Sequence, residues 1–169
     1  VLVLPTDTVY GLVCDATNEN IVENIFKIKK RSKSKSLPIF VEDLKMAKKY
    51  AEINDEQEKT IKKHWPGKYT FVLKIKNQKS KTKKKSQIIN SKLLVKNRTI
   101  ALRQPNFKII LDIIKTLKRP LAQTSANISE MPATTEIEKV IEYFDGQKNQ
   151  PDIILDWGNI KKNKPSTII

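Results

Sequence analysis

The chain has 169 residues, with 33 Lys plus Arg against 18 Asp plus Glu, a net charge of +15, and 38% hydrophobic side chains. That size and apolar content suit one domain with one core, Gly and Pro counts of 4 and 8 exclude collagen-like or linker-dominated chains, and no apolar run approaches the roughly 18 residues of a membrane span. Cys14 is the only cysteine and His64 the only histidine, which excludes an internal disulfide and multi-histidine metal centres and leaves His64 as the sole candidate for a Ser–His–Asp triad. The N-terminal residues show no signal-peptide pattern, so a cytoplasmic domain is expected.

Val1 to Leu4 reads as a buried strand ended by Pro5. Asn20 is a candidate cap for a helix whose Ile21, Ile25 and Ile28 follow helical spacing and whose end carries Lys27, Lys29 and Lys30. A strand over Leu37 to Val41 and helices over Leu44 to Tyr50 and Asp55 to His64 follow. The second helix is capped by Asn54 and opened by acidic residues that suit its N-terminus. His64-Trp65-Pro66-Gly67 stops it, and Tyr69 to Ile75 alternates as a strand. Lys76 to Ser86 holds six lysines in eleven residues and no core face, which predicts a mobile loop. Thr99 to Leu102 is a strand, and Asn106 to Leu117 is an amphipathic helix carrying Ile109, Ile110, Ile113 and Ile114. Leu121 to Thr124 is a short strand before a polar turn. Thr135 with Glu138 predicts a capping box for a helix ending near Phe144. Ile153 to Leu155 and Ser166 to Ile169 close the chain as strands. The mixture specifies an α/β or α+β fold and leaves open which strands run parallel.

The positive charge has two readings: a polyanionic partner, or a bias towards Lys, Ile and Asn. Only four of the basic residues are arginines, Arg31, Arg98, Arg103 and Arg119, and their planar forks are the sharper signal for carboxylate or phosphate. Four polar segments interrupt apolar elements, where sites tend to lie. Thr6 and Thr8 in Pro5-Thr6-Asp7-Thr8-Val9-Tyr10-Gly11-Leu12 either hold a small polar ligand or satisfy an ordinary turn, with Asp7. Lys29 to Lys35 has five basic residues in seven, either a phosphate site or a solvated helix end. Arg103 ends an apolar strand, where it meets either a ligand carboxylate or a surface acid. Gln123-Thr124-Ser125-Ala126-Asn127-Ile128-Ser129 offers hydroxyls and amides to phosphate oxygens, or caps itself.

In this order and spacing the set resembles the YrdC/Sua5/TsaC family of L-threonylcarbamoyladenylate synthases. The match runs from PTDTVYGL through Lys29-Lys30-Arg31, Trp65-Pro66-Gly67, Arg103-Gln104-Pro105 and Thr124-Ser125-Ala126-Asn127 to Pro165-Ser166-Thr167-Ile168. The resemblance implies a single YrdC-like domain over residues 1–169, with a twisted mixed sheet and flanking helices around a concave basic cleft. It implies a reaction that joins L-threonine, bicarbonate or CO₂ and ATP into threonylcarbamoyl-AMP and pyrophosphate, the first step of N6-threonylcarbamoyladenosine formation in tRNA. Mg²⁺ is expected with ATP, no tightly bound cofactor is implied, and no metal ligand is assigned. A separate threonylcarbamoyl-transferase complex would receive the product.

Carried over by residue, Lys29, Arg31, Ser125 and Asn127 are the expected catalytic set around the phosphates and carbamate. Thr8, Arg103 and Gln123 are expected at L-threonine, with Arg103 on its carboxylate. Arg31, Lys35, Thr99, Ser125 and Ser166 are expected at ATP. His64, Cys14 and Trp65 are expected to pack or cap. Some positions depart from the family pattern: Ser32 stands for a proline, Glu130 for a glycine, and Phe40 where some relatives place a histidine. Val1 and Ile169 lie so near the first and last motifs that a domain shortened at both ends is expected. The competing reading is an RNA-binding module of the same fold that holds tRNA or double-stranded RNA without catalysis.

Overall fold

The computed structural model describes residues 1–76, 89 and 91–169. Residues 77–86 of the expected lysine-rich loop therefore lie outside the described residues. Among these residues the order is β1 (Leu2–Leu4), β2 (Gly11–Asp15), α1 (Glu19–Lys29), β3 (Ile39–Phe40), α2 (Leu44–Tyr50), α3 (Asp55–His64), β4 (Tyr69–Lys74), β5 (Val95–Lys96), β6 (Thr99–Arg103), α4 (Lys108–Leu117), β7 (Leu121–Ser125), α5 (Ile137–Phe144), β8 (Ile153–Ile154) and β9 (Thr167–Ile168). The mixed α/β architecture is the expected one.

The strands form one sheet in the order β8-β1-β2-β7-β3-β6-β4-β9, with β5 paired to β6. It is mixed: β1 with β8, β3 with β6 and β4 with β9 are parallel, and the other pairs are antiparallel. Alternation divides the core between its two faces. Val3 and Leu12, cross-strand partners, pack with Ile137, Val140 and Phe144 of α5. Leu4 and Val13 point the other way, into a larger cluster with Val22, Ile25, Phe26, Ile61, Ile110 and Ile114 from α1, α3 and α4.

Several local expectations change. The Asn18 side chain, not Asn20, caps α1 by accepting from Ile21 N–H at 3.3 Å. The Thr135–Glu138 box does not form; Asn159 Oδ1, 22 residues along the chain, accepts from Ile137 N–H at 3.0 Å. β2 and β5 were not anticipated. β5 and β6 are joined by a tight turn with Asn97 and Arg98 both at positive φ (49° and 59°), so Arg98 serves a hairpin. Arg119 is also structural, donating to Asp15 at 2.6 Å.

Residues 155–166 carry no helix or strand and connect the two outermost strands, β8 and β9. The sheet between them has seven inter-strand gaps, roughly 34 Å at about 4.8 Å each. The thirteen steps from Ile154 to Thr167 reach about 43 Å when fully extended. This strap has little slack, and it is tied down along its course. Tyr10 Oη donates to Gly158 O at 2.6 Å and accepts from Trp157 N–H, Ile160 N–H donates to Thr135 O, and Asn163 Nδ2 donates to Asp7 O at 3.1 Å.

Candidate functional site

Helix α1 ends in a Schellman turn. Lys30 adopts the left-handed conformation (φ 52°), its N–H donates to Lys27 O, and Arg31 N–H reaches back to Phe26 O at 3.0 Å. The turn reverses the chain between Lys29 and Arg31 and sets both beside the end of β7. Lys29 is 3% exposed, and its Nζ donates to Ser125 O (2.9 Å), Ser125 Oγ (3.3 Å), Asn127 O (3.0 Å) and Asn127 Oδ1 (2.7 Å). All four acceptors are neutral, and among the described residues no carboxylate pairs with it. A buried cation without a counter-charge is costly. Burial, assisted by the Arg31 charge, pulls the Lys29 pKa down to about 7.

Asn127 is fixed from its other side, donating through Nδ2 to Ile128 O (3.0 Å) and Met131 O (2.5 Å). Ser129 N–H adds a backbone clip to Lys29 O at 2.8 Å. Ser125 Oγ accepts from Lys29, and no described bond uses its own proton, which remains available to an incoming oxyanion. The Arg31 guanidinium rests on the carbonyls of Lys35 and Ser36 (3.2 and 3.3 Å), again without a carboxylate among the described residues. These residues line a cleft of about 440 Å³ together with Lys30, Lys35 and Glu130. The structure thus brings Lys29, Arg31, Lys35, Ser125 and Asn127 together.

A second cluster forms where the 5–10 loop meets the C-terminal end of β6. Arg103 is 1% exposed and donates through NH2 to Asp7 Oδ1 at 2.6 Å and through Nε to Gly67 O at 2.9 Å. Its guanidinium lies 5.5 Å from the Phe40 ring centre. Asp7 Oδ2 accepts from Asn106 N–H at 3.0 Å. Gly67 is required here, because a Cβ would stand 2.6 Å from His64 O.

Thr6 and Thr8 share one short network. Thr6 Oγ1 gives its proton to Val9 O at 2.7 Å and accepts from Thr8 N–H at 3.0 Å. The 2.9 Å contact between the two hydroxyls must therefore be donated by Thr8. Thr8 Oγ1 keeps its acceptor side, met among the described residues only by a long 3.5 Å contact from Arg103 NH1. It can therefore receive a further proton donor.

The remaining expected residues fall around these clusters. Gln123 alternates with Ser125 on the same face of β7. Thr99 lies at the far end of β6 from Arg103, bonded to Lys96 O, and Lys96 reaches Ser34 O in the 31–36 loop. Ser166 accepts from Thr70 Oγ1 at 3.0 Å, beside the Arg103 end of the sheet. Thr99 and Ser166 therefore stand at opposite ends of the β4–β6 ladder. Sequence reasoning missed Asp7 as the partner of Arg103, Thr6 as the orienter of Thr8, and Asn163 as the strap's tie to Asp7. Cys14 is buried and its thiol pushed up to about 12, so it is no nucleophile. His64 packs on Tyr69, with ring centres 4.4 Å apart, and Trp65 Nε1 donates to Tyr69 O.

A family model described as "Telomere recombination" and named for Sua5, YciO and YrdC matches residues 1–169. The chain is 35% identical over 166 residues to a threonylcarbamoyl-AMP synthase of Pyrococcus abyssi, covering 98% of this chain and 45% of that protein. It is 37% identical over 169 residues to a putative threonylcarbamoyl-AMP synthase of Methanocaldococcus jannaschii, covering 73% of it. In three dimensions it resembles P. abyssi Sua5 complexed with L-threonine, with a TM-score of 0.85 and 33% identity over 99% of this chain and 46% of that one. E. coli YciO matches at a TM-score of 0.82 and 26% identity over 100% of this chain and 76% of that one. The chain thus spans about half the length of the P. abyssi proteins.

Proposed function

Because the chain belongs to the Sua5–YciO–YrdC family, we propose that it forms L-threonylcarbamoyl-AMP and pyrophosphate from L-threonine, bicarbonate or CO₂, and ATP. The observation that carries this reading is Lys29: a buried ammonium held by neutral oxygens of Ser125 and Asn127, opening on a cleft that also carries Arg31 and Lys35. An anionic ligand supplies the counter-charge that the fold withholds. The P. abyssi relatives, one named for this activity and one solved with L-threonine, support the choice of substrates.

The chemistry asks mainly for alignment and charge neutralisation. The threonine amine adds to CO₂, forming the N–C bond of a carbamate and releasing a proton. A carbamate oxygen then attacks the α-phosphorus, and the bond from that phosphorus to the bridging oxygen breaks as pyrophosphate leaves. We assign Lys29 and Arg31 to neutralise the phosphates and carbamate, with the Ser125 hydroxyl donating a hydrogen bond. Asn127 holds the Lys29 ammonium in place. Lys35, Thr99 and Ser166 are assigned to ATP. Thr8 is assigned to the threonine nitrogen through its acceptor side, and Gln123 is assigned to the same ligand. Arg103 is assigned to the threonine carboxylate through N–H groups that Asp7 and Gly67 leave unused. No histidine or cysteine nucleophile is needed.

Mg²⁺ binds nucleotide sites through one or two carboxylates plus substrate phosphates. Among the described residues no three His, Cys, Asp or Glu side chains gather, and Glu130 is the carboxylate on the cleft wall. That donor set fits a metal carried in on the triphosphate, where it would neutralise charge on the leaving group. We further propose a cytoplasmic location, where ATP and tRNA lie, and transfer of the product by a separate complex. Among the described residues no helix is long and apolar enough to cross a membrane.

Purified protein given ATP, L-threonine and bicarbonate is expected to release pyrophosphate only when threonine is present. Equal release without threonine would overturn the assignment. The net charge of +15 favours a second reading, tRNA or double-stranded RNA binding. That predicts RNA affinity falling steeply with salt and indifferent to threonine.

A further inference from the structure

Among the described residues, Glu130 is the only acidic side chain on the wall of the cleft lined by Lys29, Arg31, Lys35 and Ser125. Its backbone is left-handed, with φ 71°, a region that a residue with a Cβ enters only at a cost. The neighbours impose it: Ser129 N–H donates to Lys29 O at 2.8 Å, Met131 N–H to Ile128 O at 3.1 Å, and Asn127 Nδ2 to Met131 O at 2.5 Å. The turn carrying Glu130 is thus pinned to the end of α1, and the residue stays at the cleft.

Glu130 is exposed, and no described cation pairs with it. Three of the four cationic side chains on the same wall are committed elsewhere, and the fourth, Lys35, forms no ion pair with it. Lys29 bonds Ser125 and Asn127, Lys30 bonds Gln147 at 2.8 Å, and Arg31 bonds the carbonyls of Lys35 and Ser36. An uncommitted carboxylate beside a polyphosphate acts in two directions. It repels bare phosphate oxygens, and it attracts a divalent cation bound to them.

We infer that Glu130 makes this cleft select the divalent-metal complex of a nucleoside triphosphate over the metal-free nucleotide. The inference rests on the reading of the cleft as a nucleotide site. A glycine at this position would relax the backbone and abolish the discrimination, whereas a glutamine would abolish the discrimination alone.

The test is equilibrium titration of the full chain with ATP, once with Mg²⁺ and once with EDTA, for the parent, Glu130→Gln and Glu130→Gly. The quantity read is the ratio of the two dissociation constants, metal-free over metal-bound. That ratio is expected to fall at least about threefold in both variants, chiefly through tighter binding of metal-free ATP. Glu130→Gly, which suits the positive φ, guards against misfolding of the glutamine variant. Retained ATP binding with an unchanged or larger ratio overturns this inference alone. Absence of ATP binding in every arm overturns the nucleotide-site reading and this inference with it.

Discussion

The Lys29 ammonium and the Asn127 amide oxygen stand 2.7 Å apart, joining the last turn of α1 to the turn after β7 across 98 residues of sequence. Because Asn127 also donates to Ile128 O and Met131 O, both its amide N–H groups are used and its orientation is fixed. We assign it the task of aiming Lys29.

Asn127→Ala leaves those two carbonyls without their donor and removes an acceptor from Lys29. Thermal unfolding is expected to show a loss of about 1–3 kcal/mol, and ATP titration a weakening of about tenfold or more. Asn127→Asp keeps the bond to Lys29 but neutralises it, so nucleotide affinity falls at least as far.

Lys29 also sets a pH dependence. Its pKa is about 7 in the folded protein against 10.5 ordinarily, so between those values the unfolded chain binds the proton more tightly. Stability therefore rises as pH climbs from about 7 towards 10.5, and Lys29→Met flattens that part of the curve in urea unfolding. ATP favours the charged form, so its affinity is expected to fall by up to about tenfold per pH unit above 7. Lys29→Arg, charged throughout, is expected to bind with a flat profile.

Asp7 and Arg103 form a buried ion pair, their side chains 9% and 2% exposed. Asp7→Ala strands the guanidinium and is expected to cost about 3–5 kcal/mol, seen as a lowered melting temperature. The double variant Asp7→Ala with Arg103→Met is expected to melt above the single one, because the orphaned charge has gone.

Thr8→Val preserves shape at a site 4% exposed while removing the acceptor oxygen. L-Threonine binding, measured calorimetrically, is expected to weaken about tenfold, the equivalent of one hydrogen bond to a charged group. ATP binding should stay within about twofold of the parent. Equal weakening of both ligands would remove Thr8 from the threonine subsite.

What could be read without coordinates was what neighbouring residues decide. The Asn54 cap of α3 depends on Gln57 three positions on, and both halves of that box are present. The amphipathic stripe of α4 buries Ile110 and Ile114 as its spacing implies. β2 escaped because Gly-Leu-Val-Cys-Asp is buried on both faces and shows no alternation, while its polar preface reads as a turn. The cap of α5 escaped because it comes from Asn159, not from Thr135. Likewise the motif containing Thr8 was visible, but not that Asp7, one residue before it, holds Arg103 96 residues away. Long-range partners leave no local periodicity to detect.

The strap between β8 and β9 also bears on when the sheet can be completed. β1 must wait for Ile153 and Ile154, about 150 positions later, and β4 for Thr167 and Ile168. Pairings so distant in sequence make assembly slow relative to a fold built from hairpins. Until Ile154 is in place β1 presents a bare edge open to strand addition by another chain, and until Ile168 is in place β4 does the same. A cut within 155–166 would leave β9 held only by its pairing with β4, and its departure would bare the β4 edge as a template for aggregation.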